Sequence, residues 1–454
     1  MRIWSSVRLS SMIEIIDQLG RKYVISWNMK DWHSSAMPAH RNPPMSRSLA
    51  SALPAAPGAG AAPARHGRVV ALVVGAGIVS AMQVGKVPAA LPELRAALDA
   101  SLAQASWLLS AFAAIGAALG AGVGMAVDAW GARRMAVAGM LAQGVASLLG
   151  AMAGAIGWLL ALRVAEGIGF LAVVVSAPSL IVAATGTAPA RARALAAWST
   201  FMPLGVAAAM LSAPALEYLG WSGMWRLYGL ALLAYACWLA WGTRGLPGMA
   251  AARRTTLAGL RATLAAPGPR LYAMLFGLYT AAYFSIFGFL PSILAERLHV
   301  APWAAGPLAA LVVAACVAGN LGGGALLARG VPRTRLMTAG FVLLALGTAV
   351  TMAPGVPGAA AYLACLAASA LCGLVPTALL AGAPQHAPRP ELAGATMGII
   401  MQGNNTGLLV GPAVAGAIAG AWGWTWVAAW VGLLALAALG LIARLARTPR
   451  EQAP

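Results

Sequence analysis

The chain has 454 residues, of which 61% are hydrophobic and only 9% are charged, and its mean hydropathy is +0.80. A soluble domain carries about 25% charged residues, so this composition excludes a water-exposed surface for a chain of this length. The formal charge of +19 resides in short connections between apolar runs, which favours anionic lipid headgroups over nucleic acid as the neighbours of the basic residues.

Residues 1–68 are predicted to be a flexible or spurious extension that precedes the membrane-spanning part. The first 44 residues hold two of the three lysines, Lys22 and Lys30, and only two alanines, whereas alanine dominates the rest of the chain. This break in composition predicts that translation starts at Met45. An apolar core of about 7 to 15 residues is missing behind the basic positions, so a cleavable signal peptide is not predicted.

Twelve apolar runs follow, and each is long enough for a helix that crosses about 30 Å of hydrocarbon. Every run is predicted to be helical, because an open sheet edge in lipid would leave its amides unpaired. Spans 1–12, in chain order, cover residues 69–91, 105–127, 135–155, 157–183, 195–219, 225–243, 271–294, 303–327, 336–353, 359–383, 393–419 and 421–443. Residues 244–270 are predicted to be a cytoplasmic linker, and residues 444–454 a cytoplasmic tail.

The distribution of arginine predicts the orientation. With the N-terminus inside, the inner connections and the tail carry 16 arginines after residue 68, and the outer connections carry three, Arg95, Arg226 and Arg297. Basic residues are retained on the cytoplasmic side, so both termini are predicted to be cytoplasmic. The expected location is the cytoplasmic (inner) membrane of a bacterium.

An internal repeat relates the two halves of the chain. Residues 124–139 (GMAVDAWGARRMAVAG) return as residues 324–340 (GALLARGVPRTRLMTAG), and Gly220-Trp221 returns as Gly423-Trp424. The offset of about 200 residues maps six spans onto six. Because six is even, both halves have the same topology, which predicts two six-helix bundles, residues 69–243 and 271–443, with a cleft between them.

Two motifs in the first half resemble those of a known family. The pattern Gly124, Asp128, Gly131, Arg133, Arg134 between spans 2 and 3 resembles the loop signature of the major facilitator superfamily, here of the prokaryotic type. The stretch from Arg163 to Gly169 (RVAEGIG) is similar to that family's motif on span 4, and Ala90-Leu91-Pro92 resembles its frequent end of span 1. The resemblance implies a secondary transporter with an all-α fold of twelve transmembrane helices in two pseudo-repeated bundles.

The loop motif departs from the family pattern in two places. Ala132 replaces the first Arg of the usual Gly-Arg-Arg run, and Ala328 stands where the second-half copy would have its acidic residue. By resemblance, the first-half loop is therefore the predicted conformational latch. Asp128 can accept hydrogen bonds from Arg133 or Arg134, or lie at another helix N-terminus, and so stabilise one closed state. The alternative is that these charges only anchor the loop in water.

Charged side chains within spans cost about 2.5 to 3.5 kcal/mol each on insertion scales, so each one is a candidate for a functional role. Lys86 on span 1 lies three residues after Gln83 and on the same helical face. A role in substrate binding is one hypothesis for Lys86, and snorkelling to the outer headgroups is the other. Gln83 stands where proton-driven drug exporters of the family commonly have an Asp, and it cannot titrate, which disfavours export.

Arg163 and Glu166 on span 4 are three residues apart and can pair with each other. In the related motif the arginine is associated with proton transfer, so the resemblance implies that Arg163 and Glu166 couple transport to protons. A purely structural ion pair is the alternative.

Uncharged candidates for a substrate cavity lie in the second half. Gln402, Asn404, Asn405 and Thr406 on span 11 cannot face lipid unsatisfied, so they are predicted either to line the cavity or to bond to neighbouring helices. The same two alternatives apply to Asn320 on span 8. Further candidates are Tyr279 and Tyr283, four residues apart on span 7, for which aromatic packing is the alternative.

The predicted function is secondary transport of a small solute by alternating access, with a preference for proton-coupled uptake of an organic or inorganic anion. Proton-coupled efflux of drugs or metabolites is one alternative, and a membrane receptor or assembly protein that does not transport is another. An enzyme is not predicted, since the sequence has neither a GxxxxGK[ST] phosphate loop nor an HExxH metal motif. The four cysteines form no CxxC pair, so neither a metal nor a cofactor is predicted. The expected partners are the solute and the lipid bilayer. The protein is expected to be a monomer, and a proton gradient is expected to drive transport.

Overall fold

The computed structural model describes residues 62–246, 257–389 and 392–447, and within these ranges the chain is helical with no β-strand. The prediction of an all-α membrane fold is confirmed. The predictions for residues 1–61, including the start at Met45, lie outside the described residues, as do those for residues 448–454.

Each of the twelve predicted spans coincides with one helix or with two consecutive helical segments. In the first half these are Ala62–Ala97; Leu102–Ser110 with Ala114–Trp130; Ala132–Gly150; Ile156–Ala184; Ala188–Trp198 with Phe201–Leu211; and Leu216–Gly242. In the second half they are Pro267–Phe287 with Leu290–Leu298; Pro302–Ala328; Arg333–Met352; Gly358–Cys372 with Leu374–Gly382; Ala393–Trp422; and Trp424–Leu445. The names span 1 to span 12 refer to these helices below.

The helix bounds differ from the predicted ones where local sequence overrides hydropathy. Span 1 begins at Ala62 rather than 69, and span 7 begins at Pro267 rather than 271, with proline at a position where its missing N–H is not needed. The linker contains the helix Leu257–Ala265, which the sequence did not predict. The start of span 2 is fixed by a capping box in which Ser101 and Gln104 each accept a backbone hydrogen bond from the other.

The repeat has a structural counterpart at the start of spans 6 and 12. Gly220 has φ 62° and ψ 168°, and Gly423 has φ 86° and ψ 170°, a conformation that residues with a Cβ rarely adopt. Each glycine precedes a tryptophan that begins a span. The predicted turn around residues 354–358 is also present, with Gly355 at φ 79°.

Seven helices of the described residues are long and apolar enough to cross a membrane, or eight if Pro267–Phe287 and Leu290–Leu298, which are bent by 46°, form one span. Arg193–Gly242 counts once in this total, although its 50 residues contain the predicted spans 5 and 6. A single straight helix of that length would exceed the hydrocarbon thickness more than twofold. The break between Leu211 and Leu216 and the non-helical Gly220 allow this segment to cross twice, so span 5 ends at Leu211 rather than at 219.

The helices of each half pack mainly on one another, as spans 3 and 4 do in the first half and spans 7 and 11 do in the second. The halves meet along two helix pairs, span 2 with span 11 and span 5 with span 8. We call this contact surface the seam. Small residues bring the backbones together there: a Cβ on Gly306 of span 8 would lie 2.6 Å from the carbonyl oxygen of Met210 on span 5.

Candidate functional site

Three charged side chains meet in the interior of the first half. Lys86 Nζ on span 1 lies 2.6 Å from Glu166 Oε1 on span 4, and Arg163 Nη1 donates a hydrogen bond to Glu166 Oε2. All three side chains are at most 1% exposed. We call Lys86, Arg163 and Glu166 the charge cluster. Snorkelling of Lys86 to the headgroups, one of its two predicted alternatives, does not occur in this structure.

Local sequence and helix geometry position the cluster. Arg163 and Glu166 lie three residues apart, so they share one face of span 4. Lys86 Nζ also donates to Ser147 Oγ of span 3 at 2.9 Å, and it lies 4.4 Å from the ring centroid of Trp225 on span 6. The ammonium group is therefore held by an anion, a hydroxyl and an aromatic face, which together offset its removal from water.

The Arg163 guanidinium joins three helices. Its Nη1 donates to the carbonyl oxygen of Gln83 on span 1, and its Nε donates to that of Leu108 on span 2, both at 2.9 Å. The ring of Phe112 lies 4.5 Å away. Span 2 passes through a 3₁₀ turn at Ala111–Ala113, which begins three residues after Leu108, and such a turn within a helix often marks a functional position.

The charge cluster is not balanced when all of its groups are ionised. Lys86 and Arg163 contribute +2 and Glu166 contributes −1, so the buried sum is +1. Burial of a net charge is expensive, because the low-dielectric interior replaces water. The cluster can lower this energy by binding an anion.

The polar residues of span 11 lie along the seam. Gln402 Nε2 donates to the carbonyl oxygens of Ala117 and Ala118 on span 2, at 2.8 and 3.2 Å. The Asn405 side chain occupies the space left by Gly116 of span 2, since a Cβ there would lie 2.5 Å from Asn405 Cγ. Gln402 thus bonds to a neighbouring helix, one of the two predicted alternatives.

The other members of this group face span 7 or their own helix. Thr280 of span 7 donates to Asn404 Oδ1 at 2.6 Å. Asn405 donates from its Nδ2 to the Met401 carbonyl, and Thr406 donates to the Gln402 carbonyl within span 11. Asn404 is only partly buried. Like Gln402, Asn404 thus bonds to a neighbouring helix, one of its two predicted alternatives.

Tyr279 and Tyr283 are buried inside the second half, away from the charge cluster. Their ring centroids are 5.8 Å apart, and the Tyr279 hydroxyl lies 3.8 Å from Cys372 Sγ on span 10. Asn320 accepts a hydrogen bond from Thr377 at its backbone oxygen, while its side-chain oxygen has no hydrogen-bond partner in the described part of the chain. In this conformation the two tyrosines take part in aromatic packing, which is the predicted alternative to a cavity role.

Two polar residues of span 3 escaped the sequence analysis. Ser147 binds Lys86, and Gln143 donates to Ser80 Oγ of span 1 and to the Gly139 carbonyl, both at 3.3 Å. Both are fully buried. Their spacing of four residues within an apolar run was the available signal, because it places two polar side chains on one face of a span.

The predicted latch is described only in part. Nothing beyond the helical backbone is described for Gly124 and Asp128. Gly131 has φ 87° and separates spans 2 and 3. Arg133 donates from Nη2 to the Ala240 carbonyl at 2.5 Å and from Nε to Thr243 Oγ1 at 3.1 Å, whereas Arg134 is exposed. Arg133 therefore satisfies the end of span 6, where helix carbonyls lack partners.

The ends of the two halves that are predicted to face outward, called the outer ends below, carry matching glutamates. Glu93 Oε1 accepts from the backbone N–H of Trp221, and Glu296 Oε2 accepts from Trp424 Nε1, each at 2.9 Å. Glu296 also lies 3.9 Å from Arg95 Nη1, which connects span 7 to span 1 across the seam. Among the described residues, no group of three or more His, Cys, Asp or Glu side chains is placed to hold a metal ion.

Comparison with known proteins supports the architecture. The sequence model of the Major Facilitator Superfamily matches residues 73–401. A bacterial homologue of the human lysosomal transporter Spinster, in an inward-facing and unoccupied conformation, superposes with a TM-score of 0.65 at 16% identity, over 86% of this chain and 94% of that one. A D-xylose-proton symporter gives a TM-score of 0.64 at 14% identity, over 82% and 96%. No curated protein matches the sequence.

Proposed function

Because the chain belongs to the major facilitator superfamily, we propose that it is a secondary transporter that takes up a small anionic solute together with protons. Membership and fold make the chain an integral membrane transporter rather than an enzyme. We propose in addition that the solute is an anion, that transport is coupled to protons and that its direction is uptake. The proposal includes a monomer in a bacterial inner membrane with both termini in the cytoplasm.

The charge cluster is the observation that carries this proposal. Glu166 is shared between two cations, Lys86 at 2.6 Å and Arg163. When Glu166 takes up a proton it no longer neutralises them, and the cluster then carries +2. An anionic solute can replace the lost carboxylate, with an attraction of about 4 kcal/mol per pair of unit charges 4 Å apart at an effective dielectric constant of 20.

Proton and anion therefore favour each other's binding. A proton on Glu166 raises the affinity for the anion, and by linkage the bound anion raises the affinity of Glu166 for the proton. A carrier that moves both together and returns with Glu166 paired again is a symporter. No resident cofactor takes part in this scheme, and the proton gradient supplies the energy.

The seam provides the movement that alternating access needs. Spans 2 and 11 and spans 5 and 8 are in contact across it, so rotation of one half against the other opens opposite sides of the cleft. In this proposal Asn404 and Gln402 on span 11, with Asn405, Asn320, Tyr279 and Tyr283, complete the pathway from the second half. Asp128 and the arginines after Gly131 stabilise one of the closed states.

The test is solute-driven proton movement in proteoliposomes. Vesicles that contain the wild-type protein and an internal pH indicator, without an imposed gradient, should acidify inside when a transported carboxylate is added outside. Radiolabelled carboxylate should accumulate only when the interior is made alkaline. Protein-free liposomes measure passive entry of the neutral acid, which must be subtracted.

Substitution of the shared carboxylate separates coupling from binding. In Glu166→Gln the two cations stay unneutralised, as in the protonated wild type, so exchange of labelled for unlabelled anion should persist while accumulation driven by pH is lost. Glu217→Gln, at an exposed position in the first turn of span 6, is the matched control and should behave as the wild type does. If the protein extrudes lipophilic cations, it is an efflux transporter and the proposed uptake is wrong. If it binds the anion without exchanging it, it is a receptor.

A further inference from the structure

Four polar atoms of Arg163, of its bonding partner Gln83 and of nearby Ser110 on span 2 are buried and have no hydrogen-bond partner among the described residues. They are Gln83 Oε1, Gln83 Nε2, Ser110 Oγ and Arg163 Nη2. Gln83 and Ser110 are 0% exposed, and Arg163 is 1% exposed. Buried polar groups are nearly always paired, so a group of four unpaired atoms indicates a ligand or water position.

The guanidinium of Arg163 connects the two helices that carry Gln83 and Ser110. Its Nη1 bonds to the backbone oxygen of Gln83, and its Nε bonds to that of Leu108, two residues before Ser110. Gln83 and Lys86 share one face of span 1, and Lys86 faces Glu166 in the same interior. The free Nη2 therefore belongs to a guanidinium that bonds to span 1 at Gln83 and to span 2 two residues before Ser110.

These groups differ in the partner that each requires. Nη2 of Arg163 is a donor only and suits an anionic oxygen. The Gln83 amide offers a donor and an acceptor, and so does the Ser110 hydroxyl. A hydroxyl group on the solute both donates and accepts, so it can satisfy them, whereas a second carboxylate oxygen can only accept.

We infer that Gln83, Ser110 and Arg163 form a subsite that selects a hydroxycarboxylate over a carboxylate without a hydroxyl group. This inference rests on the proposed anion uptake and names the class of solute. A plain carboxylate engages Arg163 and can accept from the Gln83 amide nitrogen or the Ser110 hydroxyl, but it has no donor for the Gln83 amide oxygen. A site built to bond a hydroxyl rejects analogues that lack it for this reason.

The solute reaches this subsite when the halves move. In the present conformation Leu109 of span 2, between Leu108 and Ser110, lies against span 7 at Gly288, whose Cβ position is 3.6 Å from Leu109 Cδ1. Span 1 also contacts the helix Leu290–Leu298. Separation of spans 1 and 2 from span 7 uncovers the 3₁₀ turn of span 2 and the side chains behind it.

The experiment compares matched pairs of probes on the wild-type protein in proteoliposomes. Lactate is compared with propionate, and malate with succinate. Each compound is tested as a competitor for the uptake of one labelled anion and, in labelled form, as a transported solute. We expect the hydroxyl-bearing member of at least one pair to be preferred by about tenfold or more. Equal uptake of both members of each pair overturns the subsite and leaves anion uptake intact. Transport of neither member of either pair overturns both.

Variants assign the preference to the residues. Gln83→Leu and the milder Ser110→Ala should each bring the preferred pair towards equal uptake, while uptake of the plain carboxylate shows that the protein is folded. Gln143→Leu is the matched control, a fully buried glutamine of the same bundle whose amide nitrogen is already bonded to Ser80 and Gly139. Retention of the full preference in both Gln83→Leu and Ser110→Ala, or its loss in Gln143→Leu, overturns the assignment.

Discussion

Lys86 Nζ lies 2.6 Å from Glu166 Oε1, although the two residues are 80 positions apart in the sequence. Glu166 also accepts a hydrogen bond from Arg163, so one carboxylate serves two cations in a region without solvent. Removal of Lys86 leaves a balanced pair. Removal of the Glu166 charge leaves two like charges together, and the two changes therefore differ in their effects.

The first prediction is an order of stability. Glu166→Gln should lower the free energy of unfolding by about 3 to 5 kcal/mol, the range for breaking a buried ion pair. Lys86→Met should lower it less, because Arg163 and Glu166 remain paired. Thermal unfolding in detergent measures the order, with the exposed Glu217→Gln as a control that should not shift the melting temperature. A Lys86→Met protein that melts below Glu166→Gln would contradict the shared role of Glu166.

The charge cluster shows what the sequence could and could not reveal. The spacing of three residues predicts the contact between Arg163 and Glu166, because helix periodicity is local. The sequence did not predict which residue pairs with Lys86, because contacts between spans 1, 3 and 4 depend on tertiary packing. The sequence therefore allowed both snorkelling and a role in substrate binding for this lysine, and its side chain does not snorkel in this structure.

The spans themselves were predictable because lipid leaves few alternatives to a helix. Local irregularities within the spans were not predictable. The 3₁₀ turn Ala111–Ala113 and the break after Trp198 lie within apolar runs, where composition carries no signal of a change in hydrogen bonding. The turn begins three residues after Leu108, whose carbonyl binds Arg163, so the missed irregularity belongs to the candidate site.

A second prediction concerns Gly167 of span 4. A Cβ at this position would overlap the carbonyl oxygen of Phe112 on span 2, so Gly167→Ala must push the two helices apart. Overpacking of this kind typically costs about 1 to 3 kcal/mol. Gly440→Ala in span 12 is the control, because nothing lies within 4 Å of a Cβ there. Thermal unfolding should show a loss for the first variant and none for the second, and equal melting temperatures would contradict the close approach.

A third prediction concerns the seam. Gln402→Leu removes the two hydrogen bonds from span 11 to the carbonyls of Ala117 and Ala118. At a net contribution of about 1 kcal/mol per bond, the loss corresponds to about fivefold for one bond and about thirtyfold for both. We expect faster exchange of labelled anion, because leaving the present conformation becomes easier. Thr406→Val, which loses only a bond within span 11, should not change the rate, and the same acceleration in both variants would count against the seam.

A fourth prediction uses the two matching glutamates at the outer ends. Glu296 binds Trp424 and also pairs with Arg95 across the seam, whereas Glu93 binds Trp221 within its own half. Glu296→Gln should therefore shift the protein towards opening on the outer side, and Glu93→Gln should not. The side chains of Arg95 and Glu296 are 35% and 48% exposed, so the pair contributes only about 0.2 to 1 kcal/mol.

Spin labels on the outer ends of spans 1 and 7 measure this shift as a distance distribution, in a background where the exposed Cys237 is replaced by Ser. The expected change in population is about 1.4- to 5-fold, and added salt should produce the same change in the wild type because it screens a half-exposed pair. An unchanged distribution in Glu296→Gln, or an equal change in Glu93→Gln, would show that the pair does not hold the outer side closed.

The last prediction separates the two arginines of the predicted latch. Arg133 holds the end of span 6 through Ala240 and Thr243, and a lysine cannot reproduce two bonds from one planar group. Arg133→Lys should therefore slow anion exchange, while Arg134→Lys, at an exposed position, should not. If Asp128 belongs to the same latch, Asp128→Asn should slow exchange as Arg133→Lys does, and ligand-induced thermal stabilisation should persist in both. Slow exchange in Arg133→Lys with an unaltered rate in Asp128→Asn would restrict Arg133 to capping span 6, because the two variants differ only in whether the latch or the helix end is disturbed.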